Sequence, residues 1–186
     1  MQILRAVPVS ADQYANGNVH KTIEPPVECP SCGIRDALAS HGYYVRNVTS
    51  SGRGVLRVFI RRFRCGSCRK TVSILPSFAQ PYRLVLNATI SEFFGGTINA
   101  NALSWLPLLQ QYWNRFTNWL PEIRTTISSL VERSPPQPDA AGWWKVMAAS
   151  FGSLEKMTVA LVGQFGVTLF GRYRCHSPCS NGPTTN

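Results

Sequence analysis

Two short cysteine pairs hold the residues best suited to chemistry. Cys29-Pro-Ser-Cys32-Gly33 and Cys65-Gly-Ser-Cys68 are CxxC pairs separated by 32 residues. Zn²⁺ takes four tetrahedral ligands with thiolate sulfurs about 2.3 Å from the ion, and a CxxC turn puts two sulfurs on one side of it. Gly33, Gly66 and Ser67 suit tight turns whose backbone N–H groups point at sulfur. Two such turns joined by a β-rich insert describe a zinc ribbon, with Cys29, Cys32, Cys65 and Cys68 as ligands of one structural Zn²⁺. The competing reading is two unrelated pairs of buried or redox-active cysteines. A redox pair needs a thioredoxin-like βαβ setting, which the neighbouring residues do not supply.

The second chemistry is cationic. The 186-residue chain has 19 Lys+Arg against 9 Asp+Glu, a formal net charge of +10, and 15 of the basic residues are Arg. From Cys29 to Arg83 there are ten basic residues and a single acid, Asp36, so this segment carries +9. The rest of the chain is close to neutral. Four thiolates on one Zn²⁺ add a charge of about −2 and leave the ribbon near +7. Arg pairs phosphate oxygens bidentately, so an Arg-dominated patch has nucleic acid as its expected partner. Arg46, Arg53, Arg57, Arg61, Arg62, Arg64, Arg69 and Lys70 are the candidate nucleic-acid-binding residues. DNA and RNA both remain open.

The elements that must position these groups are strands. Tyr43 to Thr49 is rich in β-branched and aromatic residues, Ser50 to Gly54 is a turn, and Val55 to Arg64 is a longer strand. Alternation puts Val55, Arg57, Phe59, Arg61 and Phe63 on one face of that strand. This Arg/Phe face is the candidate contact surface. Its phenylalanines are expected to fill a small core beneath the Arg stems. Thr71 to Leu75 makes a third strand before Pro76.

Beyond Pro81 the period becomes helical. Arg83 to Phe94 predicts a helix stopped by Gly95-Gly96. Pro107 opens an amphipathic segment with Leu109, Tyr112, Trp113, Phe116 and Leu120, and Pro121 opens another with Ile123, Ile127, Leu130 and Val131. Three short helices of this kind can form a helix-turn-helix-like unit, although core packing alone accounts for the aromatics. Ala140 to Ser150 and Ser153 to Phe170 predict two more helices. The expected organisation is an N-terminal extension (1–26), a zinc ribbon (27–80), a helical region (81–133), a Pro-rich linker (134–139), a helical hairpin (140–172) and a flexible tail (173–186). The fold class is α+β: a small β zinc ribbon followed by a mostly helical region.

Three further expectations concern what the chain lacks. Cys175, His176 and Cys179 resemble a metal half-site but need a fourth ligand, such as His20 or His41, so free thiols are expected there. No signal peptide or spanning segment is legible, so a cytoplasmic protein is expected, with cysteines that favour metal over disulfides. The acids after the ribbon (Glu92, Glu122, Glu132, Asp139, Glu155) are scattered singly, and no nucleophile–base pair or Gly-rich phosphate loop is present. A non-enzymatic protein is the expectation.

Cys29-Pro-Ser-Cys32-Gly, His41-Gly-Tyr43, Ile60-Arg-Arg-Phe-Arg-Cys65 and Cys68-Arg-Lys-Thr-Val-Ser-Ile-Leu-Pro76 resemble the N-terminal zinc ribbon of insertion-sequence transposases. The likeness is closer to an uncharacterised bacterial family of stand-alone transposase-like zinc-ribbon proteins, and it covers about residues 25–95. Tyr112-Trp-Asn-Arg-Phe116 is similar to the Arg/Trp-rich helix of transposase helix-turn-helix regions, without the usual basic residue before its Trp. The resemblance implies the same four zinc ligands, binding of mobile-element DNA and no catalytic residue. Against this stands a scaffold role, in which Trp105, Trp113, Trp119, Trp143 and Trp144 dock a protein partner or a second copy and the ribbon is structural.

Overall fold

A computed structural model describes residues 1–52, 54–81, 83–98, 104–132, 134–135 and 139–173. Arg53 and the Cys175/His176/Cys179 group lie outside these residues. The first strand, β1 (Gln2–Arg5), precedes helix α1 (Ala11–Asn16) and a 3₁₀ turn at Val19–Lys21. Strands β2 (Leu38–Ser50), β3 (Gly54–Cys65) and β4 (Thr71–Pro76) complete a four-stranded sheet in the order β1-β4-β3-β2. The β2–β3 and β3–β4 pairs are antiparallel, whereas β1 lies parallel to β4, which makes the sheet mixed. The chain is α+β, as its sequence predicts.

The hairpin and β4 fall where alternation and turn residues place them, with β2 reaching further toward the cysteines. The N-terminal residues do more than extend the ribbon. Ser10 caps α1, accepting from the Gln13 N–H, while the Gln13 side chain accepts from the Ser10 N–H. Tyr14 is fully buried, and its hydroxyl donates to the Phe59 carbonyl. Tyr14 and Ile23 share one apolar core with Val48, Val58, Ile60, Phe63, Val72, Ile74 and Leu75 of the sheet.

The helical region differs from its sequence pattern in several places. Helix α2 (Asn87–Phe94) starts later than Arg83 and ends, as expected, at Gly95 and Gly96. The segments split at Pro121 are one continuous helix, α3 (Leu106–Ser128), so the helix-turn-helix-like unit is not formed. Its buried residues Leu109, Tyr112, Phe116, Leu120, Ile123 and Ile127 keep three- and four-residue steps straight through Pro121. A helix-interior proline costs about 3 kcal/mol. Burying two isoleucines is worth roughly 1.5–3 kcal/mol each, so an unbroken stripe offsets the defect. Helices α4 (Ala140–Phe151) and α5 (Leu154–Phe165) meet at a 91° bend at Gly152, a corner and not the expected hairpin. The expected continuation to Phe170 is instead a β-turn hairpin, β5 (Val167–Thr168) and β6 (Gly171–Arg172), because Gly166 stops α5 in the left-handed region at φ 62°. Asp139, read as linker, caps α4 by accepting from the Gly142 N–H at 2.7 Å.

These helices enclose a second core, in which Trp143 and Trp144 are buried and Trp105, Trp113 and Trp119 pack half-exposed. Polar contacts join it to the ribbon: Ser77 donates to Glu155, Gln80 Nε2 to Thr158 Oγ1 at 2.5 Å, and Tyr173 Oη to the Gln2 carbonyl at 2.6 Å. No single helix among the described residues is long and apolar enough to cross a membrane.

Candidate metal centre and its basic surround

The two CxxC turns fold into matching knuckles. In the first, the Gly33 N–H donates to the Cys29 carbonyl and the Cys29 N–H to the Ile34 carbonyl. In the second, the Arg69 N–H donates to the Cys65 carbonyl and the Cys65 N–H to the Lys70 carbonyl. Each knuckle turns back through a left-handed residue, Gly33 at φ 73° and Arg69 at φ 59°. The Gly66 N–H donates to the Ala37 carbonyl at 2.8 Å, which ties the second knuckle to the chain leaving the first.

This pairing brings all four Sγ atoms within 4.8 Å of one another. Across the knuckles, Cys29 and Cys68 are 3.8 Å apart and Cys32 and Cys65 are 3.7 Å apart. Sulfurs at the corners of a tetrahedron with about 2.3 Å metal bonds are separated by about 3.8 Å. The donor set and its spacing therefore fit a tetrahedral Cys₄ zinc ion. Cys29 and Cys65 are buried, Cys68 is half-buried and Cys32 is exposed.

Backbone N–H groups tune the thiols. Hydrogen bonding from the Cys68 N–H, aided by the Cys68 side chain and the Ser67 N–H, draws Cys65 down to about 6 against the cost of burial. Cys32 receives the Ile34 N–H, which favours its thiolate. Desolvation and hydrogen bonds with Cys29, Cys65 and Cys68 outweigh it and push the thiol up to about 11. A metal ion bound here would displace thiol protons, because only thiolates ligate it.

The predicted basic residues separate into distinct groups. Arg64 and Arg69 join Ser40, His41, Cys65 and Gly66 around a shallow cleft of about 300 Å³ beside the cysteines. Lys70 is exposed next to it. Arg61 lies over the Phe63 ring at 5.5 Å and donates to Ser40 Oγ at 2.8 Å. Arg62 lies 6.0 Å from the centre of the Tyr44 ring. Arg57 is exposed. Among the described residues, none of these six cations faces a carboxylate at ion-pair distance, whereas Arg35 pairs with Glu28 at 3.6 Å.

Arg46 does not belong to this surface. It is nine-tenths buried and donates to the carbonyls of Gln80 and Arg83, the former at 2.7 Å. Its place in β2, opposite Val58, points it inward. Arg46 pins the strand to the segment leading into the helices, and burial lowers its pKa from the ordinary arginine value. The Arg/Phe face is likewise divided. Phe63 is core, whereas Phe59 lies on the outer face under His20, stacked at 4.8 Å, with Tyr43 edge-on at 5.4 Å. His20 is buried in that stack, away from the cysteine cluster, and His41 stands at the cleft. His41 and Ser40 were not legible as surface partners of Arg64 because they follow from the β2 register, Ala39 opposite Arg64 and Ser40 opposite Phe63.

Comparison with known families gives one match: residues 29–104 match a family described as a domain of unknown function, DUF6431. The matched segment begins at the first zinc-ligand candidate and runs through the sheet into the region after α2. No curated protein matches the chain, and no solved structure does.

Proposed function

We propose that this protein is a non-catalytic DNA-binding module whose ribbon is held by one Zn²⁺ on Cys29, Cys32, Cys65 and Cys68. The observation that carries this reading is a run of cations without carboxylate partners leading away from the Cys₄ cluster: Arg57, Arg61, Arg62 and Arg64 project from β3, and Arg69 and Lys70 from the knuckle that the metal would lock to it. Cations held apart from carboxylates on a rigid sheet gain from meeting phosphates, because each contact releases condensed counterions. The resemblance of the ribbon to transposase N-terminal regions supports the same partner and suggests origin in a mobile element.

The zinc ion supplies no reaction step here. It fixes the knuckle geometry, and the chain's own arginines position the phosphate backbone. The test is titration of the zinc-loaded full chain with mixed-sequence duplex DNA over a range of salt. Log K falling against log salt by about 0.9 per phosphate contacted is expected. The Arg57→Glu/Arg61→Glu/Arg62→Glu variant should abolish the binding. Binding indifferent to salt, or unchanged in that variant, overturns the reading.

A further inference from the structure

The hairpin offers more than charge. In its antiparallel register, Tyr43 lies opposite Arg61, Val45 opposite Phe59, Asn47 opposite Arg57 and Thr49 opposite Val55. The inner face, including Val48, Val58 and Ile60, is buried. On the outer face the proximal end is closed by His20 and the 3₁₀ turn, where His20, Tyr43 and Phe59 are packed ring against ring. Beyond that stack Val45, Asn47, Val55 and Arg57 are all exposed, whereas Thr49, opposite Val55, is buried. Among the described residues neither the Asn47 nor the Arg57 side chain has a hydrogen bond or ion pair.

We infer that this distal face enters the DNA major groove and that the cross-strand pair Asn47 and Arg57 reads base edges there. The inference rests on the DNA-binding reading and deepens it. Arg meets the O6 and N7 of guanine bidentately, and Asn meets the N6 and N7 of adenine in the same way. Directly opposed residues on one face of a hairpin have Cβ atoms about 5 Å apart, which places the two readers on neighbouring base pairs. Val45 and Val55, 40% and 52% exposed, flank the pair with apolar surface of the kind that meets a thymine methyl. A two-stranded ribbon with strands about 4.8 Å apart fits a groove about 12 Å wide. Stacking on unpaired bases is disfavoured because the rings of this face already engage one another.

The experiment uses the zinc-loaded full chain and a random-sequence duplex library, followed by affinities for the selected site and a scrambled duplex. Wild-type protein should prefer the selected site. Arg57→Lys keeps the charge but loses the fork. It should lower the preference at one base pair by roughly 5- to 150-fold, a larger loss than it causes on scrambled duplex. Asn47→Ala should do so at an adjacent pair. Both residues are exposed, and unchanged zinc content and melting temperature would show that the variants fold. Salt-dependent duplex binding with no selected sequence, a preference retained in both variants, or tighter binding to unpaired strands each overturns this inference and leaves the DNA-binding reading standing. No duplex binding at all overturns both.

Discussion

Gly33 and Arg69 occupy the same point of two matching knuckles: each follows the second cysteine of its pair, donates its N–H to the carbonyl of the first, and is left-handed. Glycine takes that backbone at no steric cost, whereas an L side chain there costs about 1–2 kcal/mol. Replacing Arg69 by Gly should therefore raise the denaturation midpoint of the zinc-loaded protein, by up to about 1 kcal/mol once the extra chain entropy of glycine is counted. Gly33→Ala, with open space around the added methyl but a positive φ, should lower it by about 1 kcal/mol. Arg69 also lines the basic cleft, so Arg69→Gly should reduce the salt slope of DNA binding by about 1. A stabilised variant with a smaller slope shows that Arg69 is kept for its charge at the expense of backbone strain.

Metal removal should separate the two cores. The cysteine cluster belongs to the ribbon core, while every Trp lies in or against the helical one. One zinc per chain is expected, lost on Cys29→Ser/Cys65→Ser substitution. Chelation should erase the strand signal in circular dichroism before it shifts Trp emission. A strand signal unaffected by chelation would show that the ion does not hold the ribbon.

Arg46 tests the division between structural and surface arginines. Removing its guanidinium leaves the Gln80 and Arg83 carbonyls without their charged donor. Hydrogen bonds to charged groups are worth about 1.5–3 kcal/mol, so Arg46→Ala should lower stability by about that amount or more. Arg57→Ala, at an exposed site, should change stability little and weaken DNA binding. Equilibrium denaturation paired with DNA titration checks both halves. A loss of DNA affinity with unchanged stability in Arg46→Ala would return this residue to the contact surface.

The ribbon was legible because its signals are local. CxxC spacing, the turn at Ser50–Gly54 and the period-two run of β3 need no knowledge of the rest of the chain. The burial of Arg46 was not, because a run of alternating Arg looks the same whether the opposite face meets water or the Gln80–Arg83 backbone. Strand β1 was missed for a related reason: Gln2–Arg5 has no alternation of its own and becomes a strand only by pairing in parallel with Ser73–Pro76. Pro121 misled in the other direction, since a strong local breaker was outweighed by an apolar stripe visible only when both half-helices are read as one. The Asn47–Arg57 pair follows from register, which depends on the bulge between Ser40 and Tyr43.

Pro121 itself gives a simple check. It is exposed in the middle of α3 and supplies no N–H to the carbonyl one turn earlier. Pro121→Ala should restore that hydrogen bond and raise stability by about 1–3 kcal/mol, read from the denaturant midpoint. A destabilised variant would mean that a bend at this point is needed to wrap α3 around the helical core.

The His20 stack predicts a pH dependence that zinc loss alone does not produce. Burial, then the charges of Lys21 and Arg61, lower the His20 pKa from its ordinary value of 6.5. The unfolded chain therefore binds the proton first, and stability rises with pH across the interval below 6.5. The contribution is present above that value and is lost as pH falls through the lowered pKa, when a charged imidazole is forced against Phe59 and Tyr43. His20→Phe keeps a ring on Phe59 and has no proton to take up. Denaturation midpoints of both proteins between pH 7.5 and about 5 should converge at neutral pH and diverge on acidification, with the wild type falling faster. Parallel curves would show that His20 takes up its proton equally in the folded and unfolded chain and overturn the prediction.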